Sequence, residues 1–85
     1  MKGGNTQNGD MTVKWKVKEF LEMHDKTAYS LWKASGISRT TIYAITAGKM
    51  DGLHFETLSK LITGLESITG KIVAVGDVLE VVRDA

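Results

Sequence analysis

The sequence predicts a mainly α-helical domain, a bundle of four to five short helices closed by an extended or β carboxyl-terminal segment. Three observations carry that prediction. Apolar residues recur at three- and four-residue intervals through successive stretches between Thr12 and Thr69. Gly36, Gly48 and Gly70 fall just past the ends of three of these stretches, where a residue that tolerates positive φ stops a helix sharply. The last stretch, from Lys71 to Asp84, changes character and is rich in β-branched residues.

Taken in order, residues 1–10 hold three Gly and two Asn and no apolar residue after Met1. Such a segment cannot repay the entropy of being ordered, and a flexible tail ahead of a domain at residues 11–85 is expected. A first helix is expected from Thr12, its N-cap, with Val13, Val17, Phe20, Leu21 and His24 on one side and His24-Asp25-Lys26 at its end. The second follows Thr27, whose hydroxyl can accept from first-turn amides, and runs to about Ser35. Only Ile37 separates Gly36 from Ser38, a second N-cap. The third helix, Arg39 to Ala47, turns Ile42 and Ile45 inward and ends at Gly48. A loop to Leu53 precedes the fourth helix, about Phe55 to Thr69, whose stripe is Leu58, Leu61, Ile62, Leu65 and Ile68. For the remainder two forms stay open. Ile72–Val75 could face Val78–Val82 in a hairpin turning at Gly76-Asp77, or an extended segment could lead into one helical turn at Asp77 to Glu80.

Composition excludes several classes of function. Among 85 residues, Ile, Val, Leu and Phe number 22, enough for one modest core. The longest apolar run, Ile72–Val75, falls far short of the ~20 residues that cross a bilayer, and a soluble, cytoplasmic protein is expected. Without Cys there is no disulfide, thiolate metal site or cysteine nucleophile. His24 and His54 lie far apart and suit helix-end positions better than a metal pair; no metal or cofactor is expected. Ser38, Thr40 and Thr41 have no accompanying His-Asp arrangement, so catalysis is not expected. Trp15 and Trp32 read as packing or interface residues before base-stacking platforms. Charge divides along the chain: residues 11–49 carry seven Lys and Arg against three Asp and Glu, residues 50–85 three against six. A basic amino half joined to an acidic carboxyl half suggests that one face meets an anion.

The stretch from Ala28 to Ile45 meets the requirements of a helix-turn-helix unit, whose second helix enters the DNA major groove. Leu31 lies inward on the first helix, Gly36 makes the turn, Ile37 plugs the gap, and Ile42 and Ile45 lie inward on the second. Arg39, Thr40 and Tyr43 are left facing outward, with Ala44 or Thr46 beside them.

With Leu31, the string Gly36-Ile37-Ser38-Arg39-Thr40-Thr41-Ile42, Ile45, then Gly48-Lys49 and Glu56-Thr57-Leu58, the segment resembles the phage-repressor-like (Cro/C1, or Xre) helix-turn-helix family of transcription regulators. The similarity covers about residues 14–70 and implies a lambda-repressor-like bundle. It also implies that Ser38 caps the recognition helix near a phosphate or the groove edge, that Arg39 and Thr40 reach base edges, and that Thr41, Tyr43 and Lys49 contact the backbone. Thr27 and Tyr29 would set the amino end of the preceding helix against the other phosphate strand. Three positions depart from the family pattern. Trp32 stands where a close helix approach usually needs Ala, so either the packing is rearranged or the indole turns outward. Ala28 replaces a polar phosphate donor, and Ala44 offers at most a methyl contact with thymine.

The expectation is thus a sequence-specific binder of double-stranded DNA, a repressor working by occupancy, and a homodimer. The apolar segment 71–85 would either fold back on its own domain or pair with a second copy. An antitoxin-like module on the same fold, binding a protein partner with little base readout, is the alternative.

Overall fold

The computed structural model describes residues 11–83, so the expected tail lies outside the described residues. In chain order the elements are β1 (Met11–Trp15), α1 (Val17–Met23), α2 (Ala28–Ser35), α3 (Arg39–Thr46), α4 (Phe55–Thr69), a 3-10 turn (Val75–Asp77) and β2 (Leu79–Arg83). The core is built from Val17, Leu21, Leu31, Ile37, Ile42, Ile45, Leu61, Leu65, Val73 and Val78. Every helix therefore contributes, and so does the segment after α4.

The first helix starts later than its apolar spacing predicts. Thr12 caps nothing: residues 11–15 are extended and pair antiparallel with β2, in the register Val13 to Val81 and Trp15 to Leu79. Val13 continues the helical spacing of Val17 and Phe20 but also alternates with Trp15 at a period of two, and the ladder partner lies more than sixty residues away. At the junction the Lys16 N–H donates to the Val78 carbonyl at 2.7 Å, which binds the end of β1 to the foot of β2. The alternating lysines separate accordingly. Lys14 faces Glu80 across the ladder, Lys16 Nζ donates to the Gly76 carbonyl at 3.2 Å, and Lys18 stands on α1.

The carboxyl-terminal segment also differs from both forms left open. Gly76-Asp77 makes no hairpin; Asp77 Oδ2 accepts the Ala74 N–H at 2.9 Å and closes a 3-10 turn. That turn lies two residues before the expected Asp77–Glu80, because Leu79 and Glu80 are already committed to β2. Val73 is anchored into the core, its N–H donating to Glu66 Oε2 at 2.9 Å. The segment thus folds back on its own domain, and β2 covers one edge of β1.

The helix ends follow the local chemistry. At α2 the Thr27 hydroxyl accepts the Ser30 N–H at 3.1 Å and the Ser30 hydroxyl accepts the Thr27 N–H at 3.3 Å, a reciprocal capping box. His54 occupies the N-cap position of α4 without a side-chain cap bond. Beyond α1, Lys26 N–H donates to Leu21 O and Asp25 N–H to Glu22 O, a Schellman ending that holds Asp25 at φ 58°. A side chain in that left-handed conformation is strained. Asp25→Gly is expected to stabilise the domain by about 0.5–1 kcal/mol, less than the full relief because glycine also loosens the unfolded chain. Thermal unfolding checks this as a raised Tm.

Candidate nucleic-acid interface

Helices α2 and α3 are joined by a turn ordered by two serine hydroxyls. Gly36 adopts φ 75°, and the amide of buried Ile37 donates to Ser35 Oγ at 3.2 Å. Ser38 then starts α3: its hydroxyl accepts the Thr41 N–H at 3.2 Å and donates to Thr41 Oγ1 at 2.9 Å. With Ile42 and Ile45 fully buried, a helix of about 3.6 residues per turn must present Thr40 on the opposite side. Tyr43 and Ala44 flank that line one turn later, Tyr43 exposed and Ala44 half-buried.

The expected site residues fall into groups. Arg39, Thr40 and Tyr43 share the exposed side of α3. Thr41 is half-buried and turned aside, lining a groove with Met50, Leu53 and His54. Thr27 and Tyr29 sit at the start of α2, both exposed. Lys49 is positioned by backbone alone: its N–H donates to Ala44 O at 2.9 Å, and Gly48 N–H donates to Ile45 O at 3.0 Å with φ 72° at Gly48. This Schellman ending fixes where the exposed lysine leaves the helix. Trp15 steadies the following loop by donating from Nε1 to the Met50 carbonyl at 2.8 Å, a packing role as its residue type suggests.

Trp32 resolves its two alternatives by turning outward. The ring is half-buried, packed against the core on one side, and Tyr29 meets it edge-on at 5.5 Å between centroids. The close helix approach lies elsewhere: a Cβ on Gly64 of α4 would stand 2.8 Å from Ser35 Cβ and 3.0 Å from Ser35 Cα. Beside the indole, Arg39 Cζ lies 5.7 Å from the Trp32 centroid and 5.8 Å from the Tyr43 centroid, and Lys33 Nζ lies 5.2 Å from the Trp32 centroid. Sequence reasoning set Trp32 aside as packing and passed over Lys33. The available signal was a large ring at a position where the family pattern usually has Ala.

The electrostatics of this surface follow from its composition. From Lys26 to Met50 there is no Asp or Glu, while Lys26, Lys33, Arg39 and Lys49 are all exposed. Among the described residues the ion pair found is Lys60 with Glu56 on α4, so Arg39 has no carboxylate partner there. A groove of about 510 Å³ between α1 and α3 extends the same side, with Lys18 and Lys26 against Glu22 and with Tyr43 and Thr46 on the α3 wall. Such a surface attracts a polyanion. Among the described residues no cluster of three or more His, Asp or Glu could hold a metal ion, and no helix is long and apolar enough to cross a membrane. His24 Nδ1 lies 2.9 Å from the Phe20 carbonyl, and its ring stacks on Phe20 at 4.2 Å.

No curated protein and no solved structure matches the chain at a significant level. A family model for the Cro/C1-type HTH DNA-binding domain does, over residues 16–66. That span begins just ahead of α1 and ends within α4, taking in the whole α2–turn–α3 unit and more than half of the chain. By that match and by its helix-turn-helix geometry, the protein belongs to the Cro/C1-type HTH DNA-binding domain family.

Proposed function

We propose that residues 11–85 form one sequence-specific, double-stranded DNA-binding domain that acts in the cytoplasm as a transcription repressor, by occupying an operator without performing chemistry. The observation that carries this reading is an exposed, Ser38-capped α3 that presents an Arg39 without a carboxylate partner among the described residues, from a surface with no acidic residue between 26 and 50. In this reading α3 lies in the major groove. Arg39 and Thr40 meet base edges, and the Arg39 guanidinium can bond guanine O6 and N7 together. Ala44 offers its methyl to thymine. Ser38 lies near a phosphate or the groove edge, Thr41, Tyr43 and Lys49 contact the DNA backbone, and Thr27 and Tyr29 at the start of α2 set that helix's amino end against the other phosphate strand.

The proposed assembly is a homodimer, which would set two recognition helices about 34 Å apart on one face of the duplex. Val13 and Val81, register partners on the two-stranded ribbon, are 61% and 51% exposed and supply apolar surface for such a contact. Light scattering at micromolar concentration tests this directly, and a monomer throughout would reject it.

Selection from random duplex DNA with the purified protein, run at two salt concentrations, tests the main reading. Enrichment of one motif, symmetric if the protein is a dimer, is expected. Enrichment of none, with a tightly co-purifying protein, would favour the antitoxin-like module, to which the short side chains at Ala28 and Ala44 would then belong. Lys49→Ala is expected to weaken binding about equally across DNA sequences and to reduce the slope of log affinity against log salt by about 1. Titration of a selected and an unrelated duplex over a salt series measures both.

A further inference from the structure

We propose that Trp32 is a positioning residue for base readout: with Tyr43 it forms an aromatic seat that holds the Arg39 guanidinium at the leading end of α3. This rests on the reading of Arg39 as the base contact and adds to it how that side chain is aimed. Three residues converge. The Arg39 Cζ is 5.7 Å from the Trp32 ring centroid and 5.8 Å from that of Tyr43, which lies one turn along the same helix. The indole is itself held, packed against the core on one side and met edge-on by Tyr29 at 5.5 Å with the planes at 64°.

A guanidinium is planar, weakly hydrated and drawn to the negative face of an aromatic ring. Two rings within 6 Å of the guanidinium of a long, flexible side chain restrict its rotamers before DNA arrives, so less order has to be imposed on binding. A carboxylate could hold the arginine equally well, but it would cancel the charge and occupy the N–H fork that a guanine needs. An aromatic face does neither, and leaves the donors free to point away from the protein. Among the described residues no carboxylate is paired with Arg39, which is the condition this device requires. Lys33 Nζ also lies 5.2 Å from that indole centroid, so the ring carries a second cation. The bulky residue at position 32 thereby has a use that helix packing alone does not give it.

The test uses a duplex obtained by selection and its single-base-pair variants, with affinities measured for the wild type, Arg39→Ala, Trp32→Leu, Trp32→Phe and the double variant Arg39→Ala/Trp32→Leu. Leucine keeps apolar cover but has no ring; phenylalanine keeps a ring. Trp32→Leu is expected to lose about two- to fivefold of discrimination, at the base pair that Arg39→Ala relaxes. Trp32→Phe should restore most of it, and the double variant should discriminate no worse than Arg39→Ala alone. Full discrimination by Trp32→Leu, or additive losses in the double variant, overturns the positioning role while leaving Arg39 as the reader. An Arg39→Ala protein that discriminates like the wild type overturns both. In the unliganded wild-type protein, ring currents should shift the Arg39 side-chain proton resonances upfield; random-coil positions would overturn the seat without any substitution.

Discussion

Arg39→Ala is expected to lower discrimination between the selected duplex and its variant at one base pair by about 1–3 kcal/mol, roughly five- to 150-fold. The size follows from what is lost. Arg39 is exposed at the first position of α3 and unpaired with any carboxylate among the described residues, so no carboxylate there competes for its donors. Two parallel hydrogen bonds to one guanine require the planar fork, and no other side chain on the exposed side of α3 has one. Arg39→Lys therefore separates charge from geometry: it should retain attraction to phosphates while losing most of the discrimination. Thermal unfolding of Arg39→Ala should stay close to wild type, since the side chain lies outside the core. A uniform loss across all sequences, with discrimination intact, would make Arg39 a phosphate contact and reject its assignment to bases.

Gly64→Val is expected to destabilise the domain by about 2–3 kcal/mol, which at this size lowers Tm by about 10–20 °C. Glycine inside a helix normally costs stability, and an added side chain would ordinarily help α4. Here the space decides otherwise. The new Cβ would meet Ser35 Cβ at 2.8 Å, Ser35 Cα at 3.0 Å and Leu31 Cδ1 at 3.2 Å. The first two belong to the α2 backbone and its first side-chain atom, so relief requires α2 and α4 to move apart. Ser35 also holds the Ile37 amide in the turn, and Leu31 is fully buried beneath it. The disturbance would therefore pass into the helix-turn-helix unit and weaken DNA binding along with stability. Differential scanning calorimetry gives the stability loss, and an unchanged or raised Tm would show that α2 and α4 have room to spare.

Much of the helical layer can be read from local chemistry. Thr27 and Ser38 cap α2 and α3, and Gly36, Gly48 and Gly70 adopt positive φ at the ends of α2, α3 and α4. Each depends on a hydroxyl or a missing Cβ acting within a few residues, which a sequence displays directly. The inward stripe of α3 is local in the same way, since burying Ile42 and Ile45 forces Arg39, Thr40 and Tyr43 to the other side. The misreadings share one cause. Met11–Trp15 is a strand, and the chain after Gly76-Asp77 does not fold back on Ile72–Val75, because Leu79–Arg83 pairs with Met11–Trp15 from the far side of the chain. Five residues cannot announce such a partner through their own periodicity.

The sequence by itself determined the helix-turn-helix, its family, and the acid-free stretch from Lys26 to Met50, because caps, turns and charge are written over short spans. Only the tertiary structure decided that the two ends of the domain pair as a ribbon, that Gly64 lets α4 approach α2, and that Trp32 lies beside Arg39. These are contacts between residues distant in sequence, or choices among side-chain directions. They are settled by which surfaces pack together, and packing is a property of the whole fold.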